Sequence, residues 1–281
     1  MNKRLFLFAG YNQAGKIDAS LIYHVRALSQ FGDIILCMDS DCTDTELKKI
    51  QPYCLHTSGA HHGEYDFGSY KRAYIWASEN LDLSQYDFIY MVNDSVYGPL
   101  RDLSYFFATM EKMPHDAFGL VKKPHKYHPH IQSWFIGLTP SVFMTPWFNK
   151  FMHTIKKLPS KGEIIHMYEH GLSRLITAQN LTWECIYSAP RHSVYNLIKI
   201  LYRMEMPFLK KSAFTRNHGA LGGQLKYILK HISPELSNAI LSSANDIYGP
   251  EYTKWLLTSN PFKIGYRNIR HAIHKIFIEG I

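Results

Sequence analysis

The chain has 281 residues, enough for one large core or a core with an appendage, and its 46% apolar and 19% charged residues are those of a globular protein. Its 31 Lys and Arg against 23 Asp and Glu give a formal charge of +8 with the 16 His neutral, which favours anionic partners. The excess is scattered (Lys122-Lys123, Lys156-Lys157, Lys210-Lys211 and the last thirty residues) and no Arg-rich arm, zinc finger or RNA-binding signature accompanies it, so nucleic acid is not an expected partner.

The start, Met1-Asn2-Lys3-Arg4 followed by LFLFAG, has the outline of a secretory signal. Its apolar run is too short and passes straight into Tyr11-Asn12-Gln13, so Leu5 to Ala9 reads as a first core strand. Asp18 to Phe31 carries Leu21, Ile22, Val25 and Leu28 at helical spacing and stops at Gly32. DIILCM (Asp33 to Met38) is a second strand, followed by Asp39-Ser40-Asp41 and a short helix to Ile50 capped by Thr43. Cys54 to Thr57 is a third, short strand, His61 to Gly68 a Gly- and His-containing loop, and Ser69 to Asn80 a helix. Phe88 to Val92 is the next strand and Leu103 to Met113 the next helix. Strands follow at Ala117 to Val121, Ile131 to Leu138 and Thr182 to Tyr187, with helices at Pro146 to Lys157 and Met167 to Gln179. This alternation predicts an α/β fold with a parallel, doubly wound sheet. From about Pro190 the pattern becomes a basic amphipathic helix (Tyr195 to Met204), a short extended piece (Pro207 to Lys211), and a helical, positive remainder. Leu225, Ile228, Leu229 and Ile232 form one stripe there, and Ile269, Ile273, Ile276 and Phe277 another, with the boundary placed near residue 215. No apolar run approaches the ~20 residues needed to span a bilayer. The four cysteines form no Cys-x-x-Cys pair, which speaks against a zinc site or a disulfide framework and for a reduced, cytoplasmic setting.

Several constellations can carry chemistry. Asn93-Asp94-Ser95 follows the apolar strand and precedes Val96-Tyr97-Gly98-Pro99. In open α/β sheets ligands bind at the carboxyl ends of strands, where one rigidly held carboxylate can bind Mg²⁺ or Mn²⁺; the competing reading is an Asx turn. Asp39-Ser40-Asp41 has the better Asp-x-Asp spacing and could bind metal or a ribose hydroxyl, but helix capping before Thr43 is an equal use. In the loop His61 to Lys71, Gly63 and Gly68 permit close backbone approach, and Lys71, early in a helix, opposes the macrodipole and asks for an anion. The Gly10-Tyr11-Asn12 turn suits base stacking better than a nucleotidyltransferase's phosphate loop. His125, His128 and His130 cluster in HKYHPH, but no Glu or Cys follows at zinc-site spacing, so a His-rich loop is the simpler reading. Glu169 in Tyr-Glu-His-Gly-Leu-Ser could be a general base; on spacing alone it is an acid at a helix start.

Taken together, Glu64 to Lys71, Val92 to Leu100, His130 to Phe135, Tyr168 to Ser173 and Met206 to Lys210 resemble, in order and spacing over about residues 3 to 215, the rhamnan synthesis protein F family of bacterial glycosyltransferases. The resemblance implies a GT-A-like, Rossmann-like sheet in residues 1–215, with 216–281 a basic helical extension. It implies sugar transfer, with rhamnose suggested by the family name, from a nucleotide-diphospho-sugar to a surface polysaccharide such as O-antigen, capsule or rhamnan. In that reading Asp94, with Asn93 and Ser95, holds the donor diphosphate through a divalent cation, and Gly10, Tyr11, Asp39, Asp66 and Lys71 line the donor. His130 and Gln132 line the sugar or acceptor pocket, and Glu169 is the base of an inverting transfer. The departure is Asn93, an amide where the usual motif has an acid, leaving His192 or His218 to complete a metal site. The acceptor would be a glycan or a lipid-linked glycan. The basic 216–281 segment would lie on the anionic inner face of the cell membrane, or form a helical cap or a homo-oligomer face. A non-catalytic nucleotide-sugar-binding assembly subunit and a sugar nucleotidyltransferase are the competing functions.

Overall fold

The computed structural model describes residues 2–189, 193–215, 221–258, 260–266 and 269. The strands are β1 Arg4–Gly10, β2 Asp33–Met38, β3 His56–Gly59, β4 Phe88–Asn93, β5 Val96–Tyr97, β6 Ala117–Lys123, β7 His130–Ile131, β8 Phe135–Leu138, β9 Trp183–Ser188 and β10 Leu209–Lys210. The helices are α1 Ala19–Ser29, α2 Asp44–Lys48, α3 Tyr65–Asn80, α4 Ser104–Met110, α5 Pro140–Phe143, α6 Pro146–Thr154, α7 Lys161–Ile164, α8 His170–Ala178, α9 Ser193–Asn196, α10 Ile198–Arg203, α11 Leu221–His231, α12 Pro234–Tyr248 and α13 Pro250–Leu256. A π-helical turn, Ile165–Glu169, joins α7 to α8.

The chain divides into two compact units: residues 1–17, 24–94 and 103–191, and residues 18–23, 95–102 and 192–281. The boundary expected near residue 215 falls inside the second unit.

In the first unit the sheet runs β3-β2-β1-β4-β8-β6, with β1 to β4 mutually parallel. β8 is antiparallel to both neighbours, and β6 then pairs with β9 in parallel and, at its end, with the short antiparallel β7. This mostly parallel sheet flanked by helices is the α/β architecture expected from the alternating pattern. Parallel strands are covered on both faces, so their sequences are continuously apolar: all seven residues of β1 are buried. Leu5, Leu7 and Ala9 join a core with Tyr70 and Tyr74 of α3, Phe148 of α6 and Ile176 of α8. The alternate residue Phe6 stacks on Tyr90 at 5.3 Å and meets Phe107 of α4 edge-on at 5.8 Å. At the end of that face Arg4 makes a two-pronged ion pair with Glu111 (2.5 and 2.7 Å), and the buried Tyr90 hydroxyl donates to the same carboxylate at 2.7 Å.

Element boundaries differ from the sequence reading in places with clear causes. Thr43 caps α2 as expected, accepting from the Glu46 N–H. The segment expected as one strand from Ile131 to Leu138 is two, β7 and β8, separated at Gln132-Ser133-Trp134, where the Ser133 N–H turns to the Glu169 carboxylate and its carbonyl to the Tyr70 hydroxyl. α3 starts at Tyr65, four residues earlier than the pattern suggested, because Tyr65 adopts a left-handed conformation (φ 58) that turns the chain into the helix. Gly68 therefore lies inside a helix, and a Cβ there would meet the Glu64 Cβ at 2.3 Å.

The second unit contains the β5–β10 ribbon and helices α10 to α13. Gly98 has φ 141, and a Cβ there would stand 2.8 Å from the Phe208 ring and 2.9 Å from the Pro207 carbonyl. The Gly98-Pro99 bond is cis. The predicted stripe is observed: Leu225 and Ile228 are buried with Tyr97, Phe214 and Ile240, and Leu229 and Ile232 pack against them. Ile269 is exposed, and the rest of the second predicted stripe lies outside the described residues. Among the described residues, no helix is long and apolar enough to cross a membrane.

Candidate functional site

The carboxyl edge of β1, β2 and β4 collects the residues singled out from the sequence. β1 ends at Gly10, where a Cβ would meet the Met38 sulfur at 2.3 Å, and Tyr11 follows, 54% exposed. β2 ends before Asp39 and β4 before Asp94, whose backbone N–H donates to the Ala9 carbonyl at 3.0 Å. The antiparallel β8 begins at this same edge, since Val92 pairs with Phe135, and it brings Gln132, Ser133 and Trp134 there.

Asp39 is held mainly by backbone, with Nδ1 of the exposed His61 also 3.0 Å from its Oδ1. Its Oδ1 accepts from the N–H groups of His62 (2.7 Å) and Gly63 (2.9 Å), and its Oδ2 from Tyr65 (3.2 Å). Burial alone would raise this carboxyl's pKa; the N–H donors outweigh it and hold the pKa below the ordinary 3.8. His62 is not its ion-pair partner, although Nδ1 lies 3.5 Å from Oδ2. The Glu64 N–H donates to that Nδ1, so the proton sits on Nε2, which donates to Ser69. Burial, with Arg72 nearby, pushes the His62 pKa down to about 4 and keeps the ring neutral. Lys71 lies in the second turn of α3, and its ammonium is held by Glu64 (2.7 Å) and the Ile155 carbonyl (2.7 Å).

The remaining groups converge on Tyr70. Its buried hydroxyl donates to the Ser133 carbonyl at 2.8 Å. Burial raises the phenol pKa well above 10, and the charges of Asp66, Glu169 and Asp94 add to the rise. Asn93 belongs to the same cluster: its amide donates to Asp66 Oδ2 at 2.9 Å. Asp94 is 9% exposed. Ser95 falls in the second unit, where the buried Lys210 donates to its hydroxyl at 2.8 Å. His192 and His218, the suggested further metal ligands, lie outside the described residues.

Glu169 ends the π-helical turn and is fixed from two sides. Its Oε2 accepts from both the N–H and the hydroxyl of Ser133, and its Oε1 lies 3.3 Å from His130 Nε2. Burial would raise its pKa; the bonds from His130 and Ser133 overcome that and leave it below the ordinary value. The helix start expected near Glu169 is instead at Lys161, so no helix N-terminus acts on this carboxylate. Gln132 accepts from the Trp134 indole at 2.8 Å and so fixes Trp134.

Sequence reasoning did not assign Ser133, Tyr70, His62 or His170. Ser133 had no signal of its own, being one hydroxyl in Gln-Ser-Trp. His170 was visible as the neighbour of Glu169. The expectation that the HKYHPH histidines lack partners is corrected in space: His130 and His170 rings are 4.0 Å apart, and His128 stands 6.0 Å from His166 and 6.1 Å from His170.

A family model described as rhamnan synthesis protein F matches residues 34–277. Among solved structures, the chain is similar to the mannosyltransferase Ktr4p from S. cerevisiae, with 9% identity, 59% of this chain and 63% of that one covered, and a TM-score of 0.36. It is also similar to a cytidylyltransferase from Leptospira borgpetersenii serovar Hardjo-bovis (10% identity, 68% and 76% covered, TM-score 0.36). A third is core-mannan synthase A from Aspergillus fumigatus in its Mn/GDP form (12% identity, 54% and 63% covered, TM-score 0.31). The chain thus spans less than two thirds of the length of the two mannan-building proteins. A search of curated proteins finds no match.

Proposed function

This chain belongs to the rhamnan synthesis protein F family, and from that premise we propose that it is a glycosyltransferase acting on a nucleotide-diphospho-sugar. The observation that carries the proposal is the meeting, near the carboxyl ends of β1 and β4, of Asp94, of Asp66 bonded to Asn93, and of Glu169, held rigid by Ser133 and His130. Two differently held carboxylates and a base candidate are what displacement at an anomeric carbon requires. The attacking acceptor oxygen loses its proton to Glu169 while the bond from the anomeric carbon to the diphosphate breaks, and the configuration inverts. Asp94 and Asp66 offer the hard oxygen donors that suit Mg²⁺ or Mn²⁺, and Asp94's near-burial at a strand end fits a held cation. When bound, such an ion supplies charge to the departing diphosphate.

Gly10 and the exposed Tyr11, at the end of β1, would receive the base or ribose, and His130 and Gln132 would face the sugar. Rhamnose as the sugar rests on the family's description. The acceptor would be a glycan or lipid-linked glycan of a bacterial surface polysaccharide. The basic residues of 216–281 would meet an anionic membrane at its inner face, with a homo-oligomer contact as their alternative use.

Asn93 favours a second reading, a nucleotide-sugar-binding subunit without transfer. One experiment separates these and a nucleotidyltransferase. A panel of nucleotide-sugars is screened with and without Mn²⁺ by thermal shift, and the products of wild type, Glu169→Gln and Asp94→Ala are then analysed. Transfer releases the nucleoside diphosphate, not pyrophosphate. Glu169→Gln is expected to cut kcat about 100-fold or more with the donor-induced shift retained, and Asp94→Ala to lose that shift. A wild-type protein that binds donors but transfers from none leaves the binding-subunit reading.

A further inference from the structure

The His130–Glu169–His170 cluster leaves one buried nitrogen without a hydrogen-bond partner among the described residues. His130 Nδ1 lies 2.8 Å from the His128 carbonyl, which can only accept, so Nδ1 carries a proton. In a neutral ring Nε2 then presents a lone pair, and it faces the lone pairs of Glu169 Oε1 at 3.3 Å. Beside it, Nδ1 of His170 is buried with no hydrogen-bond partner among the described residues. A proton on Nε2 would join His130 to the carboxylate but leaves the His170 nitrogen unpartnered, whereas a metal ion between the three would bond all of them.

We propose that His130, Glu169 and His170 form a binding site for a divalent transition-metal ion, distinct from any hard cation on the donor diphosphate. One donor atom from each residue lies within 4.8 Å of the others. Donors about 2.1 Å from a tetrahedral ion stand about 3.4 Å apart, so edges of up to 4.8 Å close by at most about 1.4 Å on binding. Two imidazoles and one carboxylate form a borderline set that selects Zn²⁺, Co²⁺ or Ni²⁺ over Mg²⁺. Three protein ligands leave a fourth position for water.

The outer partners of a metal site are already built. A ligating His ordinarily donates its other N–H to a carbonyl or carboxylate, as His130 does to His128, and a ligating carboxylate is ordinarily hydrogen-bonded, as Glu169 is by Ser133. The π-helical turn puts Glu169 and its neighbour His170 at one place in space, a local distortion that recurs at functional sites. The rings of His128 and His166, 6.1 and 5.8 Å from His170, surround the cluster with further nitrogen donors. The site does not depend on the transfer reading. Where that reading holds, the ion takes the carboxylate needed as base, so Zn²⁺ acts as an inhibitor.

The test is metal binding by the full chain with no donor present. Protein stripped of metal is titrated with Co²⁺ while its visible d–d absorption is followed, then Zn²⁺ is added in competition, and bound metal is counted by elemental analysis. One ion per chain is expected, with visible bands that Zn²⁺ abolishes. His130→Ala and His170→Ala are each expected to weaken binding about 100-fold, Ser133→Ala about tenfold, and the exposed His125→Ala to leave it unchanged. Circular dichroism melting establishes that the variants fold; should the alanine variants not fold, Glu169→Gln, which keeps the volume, replaces them. Absence of stoichiometric binding, or full binding by the His130→Ala/His170→Ala double variant, overturns the proposal. If wild type binds one Zn²⁺ yet the Zn²⁺-stripped protein, given donor and Mn²⁺, transfers no sugar, the metal site stands and the transfer reading fails.

Discussion

Asp39 offers the sharpest separation of a ligand role from a structural one. The sequence left it as a ribose or metal contact or a cap; in the structure its carboxylate takes three backbone N–H groups of the turn that opens α3, at 2.7, 2.9 and 3.2 Å. Hydrogen bonds to a charged acceptor contribute ~1.5–3 kcal/mol each. The third is long, and part of the turn can reach water once released, so Asp39→Ala is expected to cost about 3 kcal/mol in total. Asp39→Asn keeps one carbonyl oxygen for His62 and Gly63 but turns an NH₂ toward the Tyr65 N–H, which halves the loss to about 1.5 kcal/mol. Urea unfolding at pH 7 measures both. The pH dependence has a definite sign. The folded-state pKa lies below the ordinary 3.8, so the stabilisation is complete above the unfolded-state value and is lost as pH falls through the folded one. Asp39→Asn should therefore flatten the acid limb below about pH 4 and leave the neutral-to-alkaline profile unchanged. A variant within 0.5 kcal/mol of wild type that nonetheless loses donor binding would refute the clamp and return Asp39 to the donor.

Three other outcomes follow from single contacts. Glu111→Ala leaves the Arg4 guanidinium and the buried Tyr90 hydroxyl without their shared acceptor, and should cost ~3–5 kcal/mol by urea unfolding, more than Glu111→Gln does. Gly98→Ala forces φ 141 on a residue with a Cβ pressed against Phe208 and Pro207, for a loss of about 2 kcal/mol or more in melting experiments. Ser133→Ala removes the hydroxyl that orients Glu169; steady-state kinetics should show kcat down about tenfold with the donor KM unchanged, a part of the ~10²–10⁴ that a general base supplies.

The parallel half of the sheet was legible because strands buried on both faces leave continuous apolar runs, as in DIILCM and FIYMV. The antiparallel insertion of β8 between β4 and β6 was not, since periodicity carries no information about pairing order. The break at Gln132 to Trp134 was hidden for another reason: it is set by partners distant in the sequence, Glu169 and Tyr70, which draw Ser133 out of the ladder. Lys71 illustrates a local misreading. Its charge at an apparent helix start asked for an anion; the helix begins earlier, at a left-handed tyrosine no pattern rule predicts, and the anion is Glu64 from the turn itself. The histidine tract failed for lack of range. Glu169 and His170 lie about forty residues beyond it, and a π-helical turn aims them.

Asn93 decides how the departure from a two-acid motif is understood. If the amide is a degraded acid, Asn93→Asp restores a metal ligand and strengthens Mn²⁺-dependent donor binding. The structure argues the reverse. The Asn93 amide donates to Asp66 at 2.9 Å, so an aspartate there would set two carboxylates in contact. At that distance and an effective dielectric near 20 the repulsion is ~5–6 kcal/mol. Proton uptake limits the cost: neutralising a carboxylate of ordinary pKa at pH 7 takes ~4 kcal/mol. Asn93→Asp is therefore expected to lose ~2–4 kcal/mol of stability at pH 7, regain most of it as pH falls toward 4, and bind donor no better with Mn²⁺. The amide then serves as a hydrogen-bond donor to Asp66, at a position where a second carboxylate would repel it. A gain in Mn²⁺-dependent donor affinity without loss of stability in Asn93→Asp would reverse that assignment.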